Sequence, residues 1–368
     1  MTQYIGSGIG NTWESALSYA TETLEVHLAD WHKAGGREDV AATVQAMAAA
    51  ACELAAKIAV APLDANLNEP TGKSCGGAGS NSPQKQLDVE AHKIFRTVLE
   101  GAPVAVLGSE DLDEAEVLDP TRGIALAMDP LDGSSNIDTN LSIGTIFSIF
   151  PVPASGTGSI DTALMQPGRN QLAAGFFIYG PQTALVLTLR SGTHIFTLDR
   201  NDGKFHLSKA NVKIPSGSTE YAINASNYRR WPAPVREYVD DLIAGSQGPR
   251  GKDFNMRWLG SIVAEAFRMM ARGGIYLYPR DEREGFEKGR HRLVYEANPL
   301  ALVFEEAGGA ASDGVNRTLD MEPTGLHQRV PLILGSADKV ERVARYYKDA
   351  PARAQRSPLF NERGLFRA

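Results

Sequence analysis

The chain has 368 residues, 43% of them hydrophobic and 22% charged, which is ordinary for a folded protein and excludes wholesale disorder. Its 37 lysines and arginines against 44 aspartates and glutamates leave a net charge of −7, a poor basis for general nucleic-acid binding. An anionic ligand therefore needs a local cluster of cations or a bound metal.

The length allows two domains. Cys52 and Cys75 make no disulfide framework and suit a reduced, cytoplasmic setting. Met1–Gly10 lacks a basic start followed by an apolar run, so no secretory leader is expected. The longest apolar stretch, Leu141–Phe150, falls far short of the roughly 20 residues of a spanning helix, so no membrane partner is expected either.

In chain order, Thr12–Lys33 carries Trp13, Leu17, Leu24 and Leu28 at helical spacing and stops at Gly35-Gly36. Asp39 is a plausible cap for an alanine-rich helix over Val40–Val60. Pro62–Gln86 is rich in glycine, serine, asparagine and proline, and reads either as a linker or as a mobile loop that closes on a site. A helix over Asp88–Leu99, a strand over Pro103–Leu107 and an acidic run over Ser109–Asp119 follow. The strand Gly123–Met128 ends at Asp129-Pro130, where proline breaks the ladder. Leu141–Phe150, Gln171–Tyr179, Thr183–Arg190 and Thr193–Leu198 read as strands, and Asn201-Asp202-Gly203 as a hairpin turn.

Beyond Val212 the pattern resumes with strand Tyr221–Asn224, helix Ala233–Ala244, helix Ile262–Ala271 and strand Ile275–Tyr278. Leu293–Tyr295 reads as a strand, Asn298–Ala307 as a helix with Pro299 in its first turn, Val330–Leu334 as a strand and Lys339–Tyr347 as a helix. Strand–helix alternation in both halves argues a layered α/β fold. The expected division is 1–212, 213–350 and a basic tail, 351–368, whose Leu-Phe steps suggest docking on something, such as a neighbouring subunit.

The chemistry concentrates in MDPLDGSSN, Met128 to Asn136. Asp129 and Asp132 lie too close together for both to ionise without a partner, and magnesium, which prefers hard oxygen ligands and substrate phosphate, supplies one. Gly133, Ser134 and Ser135 follow at once, where close backbone approach and small hydroxyls suit a phosphate. Metal ligands beside a phosphate nest make a phosphoryl-transfer site. The apolar Val104–Leu107 carries Glu110 and Asp111 to a strand end, and Glu296 sits at a second strand-to-helix junction. Arg257, Arg290 and Arg292 are candidate cations for a second phosphate, with Tyr276 and Tyr278 as neutral donors.

MDPLDGSSN, NLSIGTIFSIF, QPGRNQLAAG, RWLGSIVAE, GGIYLYP, RLVYEANPLA and FEEAGGAASDG, in that order, resemble class I fructose-1,6-bisphosphatase over about Asp88 to Ser336. The resemblance implies an α-β-α-β-α sandwich of the sugar-phosphatase type. It implies hydrolysis of the one-phosphate of D-fructose 1,6-bisphosphate with two or more magnesium ions per subunit, or manganese as a substitute. Gluconeogenesis and the Calvin cycle both use this reaction. It further implies that Glu110, Asp129, Asp132 and Glu296 hold metal together with the Leu131 carbonyl. Asp88 and Asp111, beside Glu110, help activate the attacking water, and Ser134 and Ser135 take the one-phosphate. Asn224, Tyr228, Arg257, Trp258, Tyr278 and Arg290 surround the sugar and six-phosphate, Arg257 reaching into a neighbouring subunit's site, which implies a homotetramer. The stretch Pro62–Gln86 falls where the family has its mobile active-site loop.

The chain departs from the family at Asp111, where glutamate is usual, at Trp258, where a tyrosine is expected, and at Arg290, where lysine is usual. The family's AMP-binding positions are replaced by Gly35-Gly36-Arg37-Glu38, Gly123-Ile124 and Pro151, so weak or absent AMP inhibition is expected. The alternatives are a dual fructose-1,6-/sedoheptulose-1,7-bisphosphatase, an inositol- or nucleotide-phosphate phosphatase, and a catalytically silent metabolite-binding regulator on the same fold.

Overall fold

The computed structural model describes residues 22–64, 70–74, 83–153 and 162–355. Helix α1 (Leu24–Lys33) is capped by Thr23, whose hydroxyl accepts from the Val26 amide, and buries Leu24 and Leu28. Residues 12–21 of the expected first helix lie outside the described residues, as do Cys75 and most of Pro62–Gln86.

Helix α2 (Glu38–Val60) starts two residues before the expected Val40. Asp39 is not its cap. It sits inside the first turn and is held by the Arg37 guanidinium, while Arg37 takes the cap position without a side-chain bond. Glu38–Leu63 is also long and apolar enough to cross a membrane by length and composition, with a mean hydropathy of 1.5, contrary to the expectation that no segment approaches that length. Its many alanines raise that value. Its Val40, Val44, Met47, Ala51 and Leu54 side chains are buried in a core shared with the helix Gln86–Leu99 and with strand residues such as Leu126 and Phe177.

Within the glycine-rich stretch, β1 (Pro70–Ser74) pairs antiparallel with β2 (Pro83–Lys85), so part of the expected loop is a two-stranded ribbon. Helix α3 (Gln86–Leu99) follows directly, then β3 (Val106–Ser109) and β4 (Glu116–Val117). The next strands are β5 (Ile124–Asp132), β6 (Ile143–Pro151), β7 (Ala173–Tyr179), β8 (Thr183–Thr188), β9 (Thr193–Asp199) and β10 (Lys204–Lys209). They form an eight-stranded sheet in the order β10-β9-β8-β7-β6-β5-β3-β4, in which only β3 and β5 run parallel.

The second half runs β11 (Glu220–Ile223), α4 (Ala233–Ile243), β12 (Asn255–Met256), α5 (Ile262–Arg272), β13 (Ile275–Tyr278) and β14 (His291–Arg292). It ends with α6 (Asn298–Glu306), β15 (Gly309–Ser312), β16 (Arg329–Val330), β17 (Leu332–Ser336) and α7 (Ala337–Gln355). Helix α7 therefore continues into the segment expected to be a tail. The second sheet has the order β12-β11-β13-β17-β15.

Side-chain direction stacks these elements in five layers. Leu126, Phe147, Phe177 and Leu185 face α1–α3 from the first sheet. Ile146, Phe176 and Val186 face the other way, onto α5, α6 and the Ala222, Tyr276 and Leu334 face of the second sheet. The opposite face of that sheet, with Tyr221, Ile275 and Ile333, packs on α4 and α7. The α-β-α-β-α arrangement thus follows from period-2 alternation, each strand feeding two cores.

Two local readings are corrected. Pro130 does not end β5: the ladder to β6 passes from Asp129↔Ile146 to Asp132↔Gly144, so β5 carries one residue more than its partner and bulges. Leu293–Tyr295 is not a strand but part of a π-helical turn, Leu293–Ala297, running into α6. A single wide turn of this kind often marks a functional site.

The first sheet and α5 meet closely at Gly144. A β-carbon there would lie 2.1 Å from the Phe177 carbonyl oxygen and 2.7 Å from Val263. Gly144→Ala is expected to lower unfolding free energy by about 1–3 kcal/mol through overpacking, measured by urea unfolding; an unchanged midpoint would contradict this packing.

Candidate active site

One cavity of about 640 Å³ gathers most of the residues singled out from the sequence. The first turn of α3 brings Asp88, which is buried, and the residues just past β3 bring Glu110 and Asp111. The β5 bulge brings Asp129, Leu131 and Asp132. Gly133, Ser134 and Ser135 follow at the same wall, and Asn224, Trp258, Tyr276, Tyr278, Arg290 and Glu296 complete the set.

The bulge explains how two carboxylates three residues apart point to one place. It lets the Leu131 amide donate to Asp129 Oδ1 at 3.1 Å. Asp132 Oδ2 accepts from Ser261 Oγ at 2.7 Å and from the Val263 amide at 3.0 Å, at the start of α5. Gly133 turns the chain with φ 79°, and a β-carbon there would lie 2.6 Å from Ser261 Cβ. Ser134 and Ser135 then open a 3₁₀ turn, Ser134–Thr139, whose first amides have no acceptor within it.

Glu296 comes from the π turn. Its Oε1 meets His291 Nδ1 at 2.6 Å and its Oε2 accepts from the Arg292 amide at 2.6 Å. Because a carboxylate only accepts, the His291 proton belongs on Nδ1, and Tyr276 then donates its hydroxyl to Nε2 at 2.8 Å. Tyr276 is thus engaged behind the acids rather than held out toward a ligand. The Trp258 ring lies parallel to Tyr276, 5.9 Å between centroids, and the Arg290 guanidinium stands 5.9 Å over the Tyr278 ring.

One carboxylate oxygen from each of Asp129, Asp132 and Glu296 falls within 4.8 Å of the others. Burial, then the charge of Glu296, lifts the Glu110 carboxyl to about 8 against the pull of Arg292. Burial and the Glu110 and Asp132 charges raise Asp129 well above the usual range, and burial with Glu296 raises Asp132 to about 6. Burial also pushes Glu296 upward, but His291 and the Arg292 amide outweigh it and leave Glu296 below the usual range. Hard, buried oxygens that repel one another are the donor set a divalent cation fits.

Three expected residues are not brought into the cavity. Tyr228 donates its hydroxyl to Asp240 at 2.8 Å and packs on Trp231, and Arg257 is exposed, its Nη1 donating to the Met256 carbonyl at 3.4 Å. Arg292, read as a cation for phosphate, is instead buried behind the site, its Nε 3.4 Å from Glu110 and its Nη1 on the His327 carbonyl. The cavity also contains residues that sequence reading missed: Ser261, Glu265, Arg283, His291 and Arg329. His291 directly precedes the RLVYEANP segment and Arg329 lies well beyond it, neither with a spacing rule of its own, so only the pairing of β14 with β16 discloses them.

Comparison with known proteins identifies the family. The family described as "Fructose-1-6-bisphosphatase, N-terminal domain" matches residues 26–210, and "Fructose-1-6-bisphosphatase, C-terminal domain" matches residues 214–348. The chain belongs to the fructose-1,6-bisphosphatase family. Membership makes it a hydrolase of phosphate esters. A "Fructose-1,6-bisphosphatase class 1" of Sinorhizobium medicae is 49% identical over 348 residues, 94% of this chain and 99% of that protein. A "Fructose-1,6-bisphosphatase class 1 2" of Nitrobacter hamburgensis is 53% identical over 298 residues, 81% of this chain and 85% of that protein. The crystal structure of Leishmania major fructose-1,6-bisphosphatase in holo form superposes with a TM-score of 0.81 at 32% identity, covering 89% of this chain and 99% of that one.

The raised carboxyls of Asp132 and Glu110 make a pH prediction for the metal-free chain. Unfolded, both would titrate near the ordinary carboxyl value of roughly 4. Stability they contribute is fully present below that value and is lost as pH rises through about 6 and about 8. A divalent cation replaces the missing protons. Its addition should therefore raise the melting temperature more at pH 8 than at pH 6, followed by calorimetry; an equal or larger rise at pH 6 would contradict the carboxyl assignment.

Proposed function

We propose that the cavity hydrolyses the one-phosphate of D-fructose 1,6-bisphosphate to fructose 6-phosphate and phosphate, with magnesium as its working cation. The observation that carries this reading is the carboxylate trio Asp129, Asp132 and Glu296, gathered within 4.8 Å in a cavity also lined by Tyr278, Arg290 and Arg329. Two or more ions per subunit, with manganese able to substitute, would be held by Glu110, Asp129, Asp132, Glu296 and the Leu131 carbonyl. A bound magnesium supplies Lewis acidity at the transferring phosphoryl group.

The remaining chemistry belongs to the chain. Ser134 and Ser135 present amides and hydroxyls to the one-phosphate, beside the Gly133 turn. Asp88 and Asp111 accept a proton from the attacking water as the new P–O bond forms and the bond to the C1 oxygen breaks, and a proton from solvent completes the C1 hydroxyl of fructose 6-phosphate. Asn224, Trp258, Tyr278 and Arg290 take the sugar and six-phosphate. Arg329 adds a cation whose own affinity for its proton is lowered by burial, then by Arg292. In this reading residues 1–212 supply metal and one-phosphate ligands, and residues 213–350 the sugar and six-phosphate ligands. Arg257, exposed and off the cavity, serves a neighbouring subunit's site within a homotetramer. A cytoplasmic location suits a chain acting on a soluble sugar bisphosphate.

Asp129→Ala is expected to remove nearly all phosphate release while leaving the circular dichroism spectrum unchanged; substantial residual turnover would sink the metal-ligand role. AMP control is expected to be weak or absent. Arg37 donates to both Asp39 and the Gly123 carbonyl, tying together positions that the family uses for the nucleotide. Micromolar AMP should leave the rate unaltered, and abolition of activity would overturn that expectation.

A further inference from the structure

A buried hydroxyl chain crosses three strands and ends on the bulge that aims the carboxylates. Because β5 holds an extra residue between Asp129 and Asp132, the Pro130 carbonyl falls out of the regular ladder inside a buried sheet. Such a carbonyl needs a partner, since an unsatisfied buried acceptor is costly. Thr145 of β6 provides it: its Oγ1 lies 2.8 Å from the Pro130 oxygen. Tyr179 of β7 lies 2.9 Å beyond, its hydroxyl on Thr145 Oγ1.

The direction of the chain follows from the inventory of donors. A carbonyl only accepts, so the Thr145 hydrogen points to Pro130, and the Tyr179 hydroxyl must donate to Thr145. Thr145 is fully buried and Tyr179 is 4% exposed, so water does not compete. Successive hydrogen bonds in such a medium polarise and strengthen one another. Burial also pushes the Tyr179 phenol above its usual range, so the donor stays protonated.

We propose that Thr145 and Tyr179 are positioning residues that set the affinity of the carboxylate site for its divalent cation. The proposal rests on the metal reading given above. Pro130 sits between Asp129 and Leu131, and the Leu131 amide fixes Asp129 Oδ1. Releasing the Pro130 carbonyl would let this peptide rotate, and would turn the Asp129 carboxylate and the Leu131 carbonyl together. Neither Thr145 nor Tyr179 touches the cavity that holds the reacting groups, so their effect reaches the site only through the bulge.

The test is magnesium titration by calorimetry into the full metal-free chain, wild type and Thr145→Val, Thr145→Ser and Tyr179→Phe. Each variant's melting temperature without metal and its KM for fructose 1,6-bisphosphate at saturating magnesium are measured alongside. Thr145→Val is expected to weaken magnesium binding by about tenfold to a hundredfold, the range seen when partners behind a metal ligand are lost. Tyr179→Phe should weaken it less, and Thr145→Ser should restore the wild-type value, with KM unchanged throughout. Should Thr145→Val fail to fold, Tyr179→Phe, which removes one oxygen from β7, carries the test. Variants that melt earlier yet bind magnesium as the wild type does would overturn the positioning role alone. A wild-type chain that binds no magnesium would overturn the metal reading and this proposal together.

Discussion

Four carboxylates held where water screens them poorly are the constraint on which the rest of this structure depends. Glu110, Asp129, Asp132 and Glu296 come from different points in the chain; burial and the neighbouring charges raise the proton affinity of the first three, while His291 and Arg292 hold Glu296 below the usual range. Left alone, such a cluster destabilises a fold. Every nearby element is arranged either to tolerate it or to exploit it. The bulge and the Leu131 amide steady Asp129, Ser261 and the Val263 amide steady Asp132, and His291 with the Arg292 amide steadies Glu296. Arg292 approaches Glu110 from the side away from the cavity. Tyr278, Trp258 and the exposed Arg290 line the same cavity.

The layered fold makes this arrangement affordable in space. The central strands of the first sheet are buried on both faces, so β5 is apolar up to its bulge and β6 is buried from Ile143 to Phe150, Thr145 and Ser148 included. Helix α5 then abuts the bulge and offers the Val263 amide to Asp132, while the second sheet delivers Tyr276 and Tyr278 through β13. The π turn before α6 is the complementary device. Its extra residue per turn swings Glu296 inward, where His291 and the Arg292 amide meet both of its oxygens.

Much of this was legible in the sequence, for physical reasons that also mark the limit. An apolar strand running into Asp-Pro-Leu-Asp-Gly-Ser-Ser can be read locally, because the carboxylate repulsion and the glycine turn lie within a few residues. Strand–helix alternation gave the α/β class for the same reason. The misreadings share one cause, tertiary partners overriding local propensity. Pro130 normally breaks a ladder, yet Thr145 rescues its carbonyl and the strand continues. Leu293–Tyr295 has strand composition, yet it winds into a π turn anchored by α6. Asp39 looks like a cap, yet Arg37 captures its carboxylate. Ser261, His291 and Arg329 carry no pattern that announces them, since each matters only through a residue far away in the chain. Conversely, Tyr228 and Arg257 were expected at the sugar, and within one chain they lie outside the cavity.

The central claim is that this acid-lined cavity is a metal-dependent sugar-bisphosphate phosphatase. Phosphate release from fructose 1,6-bisphosphate and sedoheptulose 1,7-bisphosphate, measured side by side with magnesium and then with a chelator, tests it most directly. The account predicts rapid, magnesium-dependent release from fructose 1,6-bisphosphate that the chelator abolishes. Absence of release from either sugar, or release that persists in full with the chelator present, would contradict it.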